Sequence, residues 1–163
     1  MIADVIIRVA TLAEARDIAA MSRELIEHGL PWRWRPARVA HSIQDADTNV
    51  AVVGQPGALQ GFGIMFHAQD DAHLLLFAVR AGSQRQGIGS ALLTWLEAAT
   101  RASGSSRIRV EARLDNQAAR NFYNEHGYHE RTIDKAMYSG MLDGIHMEKW
   151  LRENGRADSD GKS

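Results

Sequence analysis

Six consecutive residues, Gln84-Arg85-Gln86-Gly87-Ile88-Gly89, carry the first chemical signal in this chain. They stand where an apolar run, Leu74-Leu75-Leu76-Phe77-Ala78-Val79, gives way to Leu92, Leu93, Leu96 and Ala99 at helical spacing. The run has the length of a strand covered on both faces, and the spacing predicts a helix from about Gly87 to Ser103, before Gly104. The first N–H groups of a helix have no partners inside it, and aligned peptide dipoles place partial positive charge there. Glycine at 87 and 89 removes the side chains that would hold a phosphate away, so the turn suits a pyrophosphate. Two familiar phosphate loops do not fit. The dinucleotide fingerprint needs a third small residue where Leu92 stands, and the nucleotide P-loop needs a Gly-Lys-Ser/Thr that is missing here.

A second constellation lies downstream. Arg107-Ile108-Arg109-Val110-Glu111-Ala112-Arg113 alternates charged and apolar residues, which predicts a half-buried strand. It leads to Asn116, Ala119, Phe122, Tyr123, Gly127 and Tyr128, a short helix that Asp115 or Asn116 caps and Gly127 stops. Gln-x-x-Gly-x-Gly followed by Asn-x-x-Ala-x-x-Phe-Tyr-x-x-x-Gly-Tyr, one helix and one strand apart, resembles the GNAT superfamily of acyl-CoA-dependent N-acetyltransferases.

The elements that position these motifs follow from pattern. Val5 to Val9 reads as a strand, and Thr11 with Glu14 forms a capping box for a helix whose apolar face runs from Leu12 to Ile26 and ends by Gly29. A Trp- and Arg-rich linker precedes a second helix over about Ala37 to Ile43. Strands at Val50 to Val53 and Ala58 to His67 join through Gly54-Gln55-Pro56-Gly57. Strands at roughly Tyr128 to Ile133 and Leu142 to Leu151 close the domain, giving the order βααβββαβαββ over residues 1–151. The resemblance implies an α/β fold of GNAT type: a mixed, mostly antiparallel central sheet, helices on both faces, and fourth and fifth strands that splay apart to receive a pantetheine arm. The tail, 152–163, is polar without apolar period and is expected to be disordered.

The resemblance also implies roles for single residues, with acetyl-CoA as acyl-donor cosubstrate and no metal. Backbone groups of Phe77, Ala78 and Val79 would pair with the pantetheine arm, and the Val79 N–H would polarise the thioester carbonyl. Ser90 and the N–H groups of Gly87, Ile88, Gly89 and Ser90 would hold the pyrophosphate, with Gln84, Arg85 and Gln86 at its rim; a loop arginine is equally a solvated charge. Tyr123 stands at the place of the general acid, although a packed aromatic beside Phe122 is the plainer reading. Asn116 would hydrogen-bond the pantetheine arm or a water beside it, and a helix cap alone is the alternative, compatible with that contact. Glu111 matches the glutamate of acetylases of ribosomal-protein N-termini, and as a general base it would be helped by desolvation, which raises a carboxyl pKa. Arg109 and Arg113 on the same strand face would oppose that shift, and a salt-bridged strand glutamate is the alternative. His73 is the other candidate base, since an imidazole titrates near neutrality without tuning.

Acceptor residues are implied on the linker and near the last strand: Trp32, Trp34, Arg35 and Tyr138. Indole and guanidinium groups suit an acceptor with a flat or apolar part and an anionic part. The same linker reads alternatively as a lid or a homodimer contact, because Trp and Arg are enriched at interfaces. Several positions depart from the family pattern. Ala81 replaces a common proline, Gln84 a more frequent arginine, and in the Tyr-Tyr-x-x-x-x-Asp-Ala ending of N-terminal acetylases Met137 replaces the first tyrosine and Gly144 the alanine.

Composition narrows the classes. A net charge of -1 gives no electrostatic case for nucleic acid or an acidic membrane surface, and the absence of cysteine removes disulfides, thiol catalysis and cysteine-ligated zinc. No apolar run approaches the ~20 residues of a membrane span, and Asp4 and Arg8 interrupt the N-terminal one, so the cytoplasm is the expected compartment. The expected activity is transfer of an acetyl group to a primary amine of a small molecule or peptide by direct attack. The alternative is a non-catalytic acyl-CoA-binding or protein-interaction module on the same fold.

Overall fold

A computed structural model describes residues 5–151, apart from the side chains of Arg85 and Gln86. The expected tail, 152–163, therefore lies outside the described residues. In chain order the elements are β1 (Ile7–Val9), α1 (Ala15–Leu25), α2 (Pro36–Gln44), β2 (Thr48–Gln55), β3 (Ala58–Ala68), β4 (Asp71–Val79), α3 (Ile88–Ser103), β5 (Arg107–Arg113), α4 (Gln117–Glu125), β6 (His129–Tyr138) and β7 (Leu142–Trp150). The strands take the order β1-β2-β3-β4-β5-β7-β6 in a mixed, mostly antiparallel sheet, with β4 and β5 parallel. This is the predicted element order. Among the described residues no helix is long and apolar enough to cross a membrane.

The described residues divide into two compact units, 5–66 with Leu74–Ala99, and His67–His73 with 100–151. In the first, β1, β2 and β3 pair antiparallel, and the β2–β3 turn sets Gln55 opposite Ala58 as the Pro56-Gly57 signal predicts. The helical period of Ile18 and Met21 on α1 and of Val39 on α2 packs one apolar stripe of each helix with Val50, Val52, Phe62, Ile64 and Leu76. Each such side chain contributes roughly 1.5–3 kcal/mol by leaving water. A register shift follows Val53, where Gly54 has φ +110 and an added Cβ would meet backbone of Ala58 and Gln60 at 2.8 Å. One expectation fails on β4, whose residues alternate between buried and half-buried. Leu74, Leu76 and Ala78 fill the core, while Leu75, Phe77 and Val79 form a partly open face, because the run is covered fully on one side only.

The Thr11–Glu14 capping box is present, and the sequence pattern does not reveal its second function. Glu14, 3 % exposed, accepts the Thr11 N–H at 3.0 Å and a two-pronged bond from Arg8 on β1 at 2.7 Å to each oxygen. Arg8 also donates to the Gly54 carbonyl at 3.0 Å. Arg8 is the main cause that lowers the Glu14 carboxyl to about 2. A carboxyl depressed by folding stabilises the native state above its unfolded value near 4.5 and loses that contribution as pH falls toward 2. With the Arg8 side chain 31 % exposed, the contribution is on the order of 2 kcal/mol. Denaturant titrations of the parent and Glu14→Gln are expected to differ by that amount at neutral pH and to converge near pH 2; a gap independent of pH would contradict the assignment.

In the second unit β7 lies between β5 and β6, antiparallel to both. Period-two alternation sends Ile108, Val110, Ala112, Ile145 and Met147 to the buried face. Arg107, Arg109, Glu111, Arg113, His146 and Glu148 go to the half-exposed one. Tyr128 follows Gly127, whose φ of +90 ends α4, and is buried with the Tyr123 ring edge-on at 5.5 Å and the Lys149 ammonium 5.6 Å from its centre.

Candidate active site

In the first unit, β4 runs into a 3₁₀ turn, Ala81–Gln86, and then Gly87 at φ +75. An added Cβ at Gly87 would meet nothing within 4 Å, so glycine is required there for its backbone angle. The first α3 bond has the Ala91 N–H donating to the Gly87 carbonyl at 3.0 Å, which leaves the amides of Ile88 and Gly89 ahead of the helical ladder at its positive end. Ile88 is buried and anchors the turn, whereas Ser90 is exposed. The Gln84 amide donates to the Val79 carbonyl at 3.0 Å, so it braces the end of β4. The side-chain roles expected of Arg85 and Gln86 lie outside the described residues.

The linker residues belong to the same unit. Trp34 is buried at 8 % exposure with the Arg38 guanidinium 3.9 Å from its ring centre. Trp32 is half-buried between Arg23 at 5.0 Å and Arg35 at 4.7 Å, and its indole N–H donates to the Ala19 carbonyl at 3.2 Å. The hinge of this arrangement is Glu27, just past the end of α1, a role that no local sequence pattern signals. Its Oε1 accepts the N–H groups of Arg33 at 2.7 Å and Trp34 at 3.2 Å, and its Oε2 accepts the Ser22 hydroxyl at 2.7 Å. Glu27→Ala is expected to cost about 2 kcal/mol and to change the intrinsic fluorescence through Trp34; an unchanged urea midpoint would show that the linker holds itself.

The second unit gathers the proton-handling residues. His73, third residue of β4, places its Nε2 2.6 Å from Oε1 of Glu111 at the middle of β5. The two alternative bases are therefore one pair. On the other oxygen, Oε2 lies 3.4 Å from Nδ1 of His146, which stands opposite Glu111 in the β5–β7 register. The other nitrogen of His146, Nε2, is 3.4 Å from Oδ2 of Asp134 on β6. Burial pushes the Glu111 carboxyl up and is the largest single influence, but the hydrogen bonds and charge of His73 and His146 together outweigh it and hold the group below its ordinary value. The expected upward shift is thus reversed. Histidines, rather than Arg109 and Arg113, oppose it. Among the described residues no group of His, Asp and Glu is arranged to hold a metal ion.

Tyr123 sits on α4, whose first turn is fixed by the Asn116 side chain accepting the Ala119 N–H at 3.1 Å. It is buried at 6 % exposure, edge-on to Phe122 and Tyr128 at 5.5 Å each. Burial, then Tyr138 and Glu111, push its hydroxyl well above the ordinary value. Burial and Glu111 push Tyr138 up to about 12 against the pull of Arg113. Both phenols stay protonated through neutral pH, close enough to Glu111 to feel its charge. Around Tyr138 the β6–β7 pairing is irregular, with Ala136 and Ser139 at φ +57 and +56. The two departures near this tyrosine prove to be coupled: a Cβ on Gly144 would collide with the Met137 sulfur and lie 2.9 Å from the Tyr138 ring. A small residue at 144 makes room for methionine at 137.

Comparison with known proteins gives concordant matches. The acetyltransferase (GNAT) family model matches residues 13–128. The [Ribosomal protein bS18]-alanine N-acetyltransferase of Escherichia coli K12 is 36% identical over 132 residues, covering 79% of this chain and 87% of that protein. The crystal structure of the ribosomal-protein-S18-alanine N-acetyltransferase from Escherichia coli superposes with a TM-score of 0.77 at 26% identity, over 91% of this chain and 94% of the other. PaiA N-acetyltransferase from Thermoplasma acidophilum, in complex with coenzyme A, shares the fold with a TM-score of 0.78 at 17% identity, over 91% and 100% of the two chains.

Proposed function

Since the chain belongs to the GNAT family of acetyltransferases, we propose that it moves an acetyl group from acetyl-CoA to the free α-amine of a peptide or protein, with Glu111 as general base and Tyr123 as general acid. The observation that carries this reading is the presence, within one unit, of a carboxylate bonded to His73 at 2.6 Å and a buried phenol on α4. One group can take a proton and the other can give one. The peptide acceptor is supported by the relative that acts on a ribosomal protein alanine.

Acetyl-CoA fits the donor side on the chemistry of the residues present. Amides ahead of the α3 ladder and the αL glycine at 87 suit a pyrophosphate, and the partly open face of Phe77 and Val79 suits an extended arm. When bound it supplies an activated thioester. Glu111 takes the proton that keeps the acceptor nitrogen from attacking, directly or through a water. In the first unit the Val79 N–H would stabilise charge on a thioester carbonyl oxygen, and in the second the Tyr123 hydroxyl would supply a proton for a departing sulfur. Asn116, beyond its cap to Ala119, offers a side-chain amide to the arm. Trp32 and Arg35 are the candidate acceptor residues of the first unit and Tyr138 that of the second, while buried Trp34 anchors the linker. Thiol release from acetyl-CoA in the presence of an alanine-starting peptide tests the proposal against release with polyamines. Release with the peptide is expected; release with the polyamine alone would shift the reading to small-molecule acceptors.

A further inference from the structure

We propose that His146 and Asp134 carry away the proton that Glu111 takes from the acceptor ammonium, in a relay that runs from β5 across β7 to β6. This rests on the reading of Glu111 as the base.

The geometry is that of a chain with an imidazole between two carboxylates. His146 turns Nδ1 toward Glu111 and Nε2 toward Asp134, each at 3.4 Å. Imidazole suits this position because it can accept a proton on one nitrogen and release one from the other. Side-chain exposure rises along the path, from 20% at Glu111 to 39% at His146 and 50% at Asp134, so the chain leads to water. The neighbouring charges do not divert it. From β4, His73 holds the other oxygen of Glu111, and Asp71 is bonded to Arg107 at 2.6 and 3.0 Å. Along β7, Glu148 lies 3.3 Å from Arg107 and accepts the Trp150 indole N–H at 2.9 Å, and Arg131 on β6 reaches it at 3.8 Å. Arg109 and Arg113 flank Glu111 on β5 as donor-only guanidinium groups with no acceptor atom for the proton. Tyr138 on β6 and Tyr123 on α4 both stay protonated.

The proton count requires such an exit. An ammonium acceptor loses one proton before it attacks and another as the amide forms. The second replaces the proton that Tyr123 gives to sulfur; the first is the net proton released in each turnover. Glu111, held below its ordinary carboxyl value, does not keep that proton. With its own proton on Nε2, His146 takes that one at Nδ1, the Nε2 proton leaves to Asp134 and then to water, and the part-exposed ring turns over to recover its first tautomer.

His146→Gln and Asp134→Asn test the relay in acetyl-transfer assays with an alanine-starting peptide, or with the first amine that the parent enzyme turns over. In dilute buffer kcat is expected to fall about tenfold and to recover as imidazole or phosphate is added, with acceptor KM and acetyl-CoA Kd unchanged. The parent rate should not depend on buffer concentration. A parental kcat in both variants, or a loss that buffer does not restore, would overturn the relay. Glu111→Gln separates the two levels: if it turns over like the parent, the base assignment fails, whereas a slow Glu111→Gln beside a fast His146→Gln sinks the relay alone.

Discussion

Tyr123→Phe is expected to lower kcat about 10²–10³-fold while leaving acetyl-CoA affinity within about twofold. The substitution removes one oxygen from a buried ring that packs edge-on against Phe122 and Tyr128, so α4 and its Asn116 cap stay in place. What is lost is the proton for the departing thiolate. The raised pKa means that the hydroxyl is protonated at every pH where the enzyme works, so the loss should be uniform from pH 6 to 9. Steady-state kinetics with calorimetric titration of acetyl-CoA would check both halves. Equal turnover would remove Tyr123 from the chemistry and leave it a packing residue.

Glu111→Gln has the other large effect, a fall in kcat/KM of about 10²-fold or more, with a characteristic pH dependence. A carboxyl held below its ordinary value remains an available base down to acid pH. The acid limb of the parent profile near neutrality therefore belongs to the acceptor amine, whose own pKa is about 7.7–8.0, and only a second fall below about pH 4.5 reports Glu111. In the Gln variant the residual activity should rise with the fraction of free amine and lose that lower step. A parental profile in Glu111→Gln would contradict the assignment.

The contrast between Glu111 and its surroundings shows what a sequence can reveal. Period-two alternation from Arg107 to Arg113 placed Glu111 on the half-exposed face of β5, and the Asn116 to Tyr128 spacing placed Tyr123 on a capped helix; both are local patterns and both hold. The shift of Glu111 is not local. It is set by His73, 38 residues before it, and by His146, which faces it only through the β5–β7 register. Alternation along Gly144, His146 and Glu148 gave the one available hint that these share a face, but not which strand they would meet. The glycine turn was legible because the strand end, αL glycine and helix start are contiguous, although its 3₁₀ geometry was not. The roles of Glu27 and Arg8 are not legible in sequence because they lie in backbone and side-chain partners brought together by folding. The Met137 and Gly144 departures are coupled only through the fold, which puts a missing Cβ and a methionine sulfur in one place.

The most direct test of the central claim is mass spectrometry of two peptides incubated together with the enzyme and acetyl-CoA, one with a free N-terminal alanine and no lysine, the other with a blocked N-terminus and one lysine. Acetylation confined to the α-amine of the first, and lost in Glu111→Gln and Tyr123→Phe, is the predicted result. Acetylation of the lysine alone, or of neither peptide while acetyl-CoA is consumed with small amines, would contradict it.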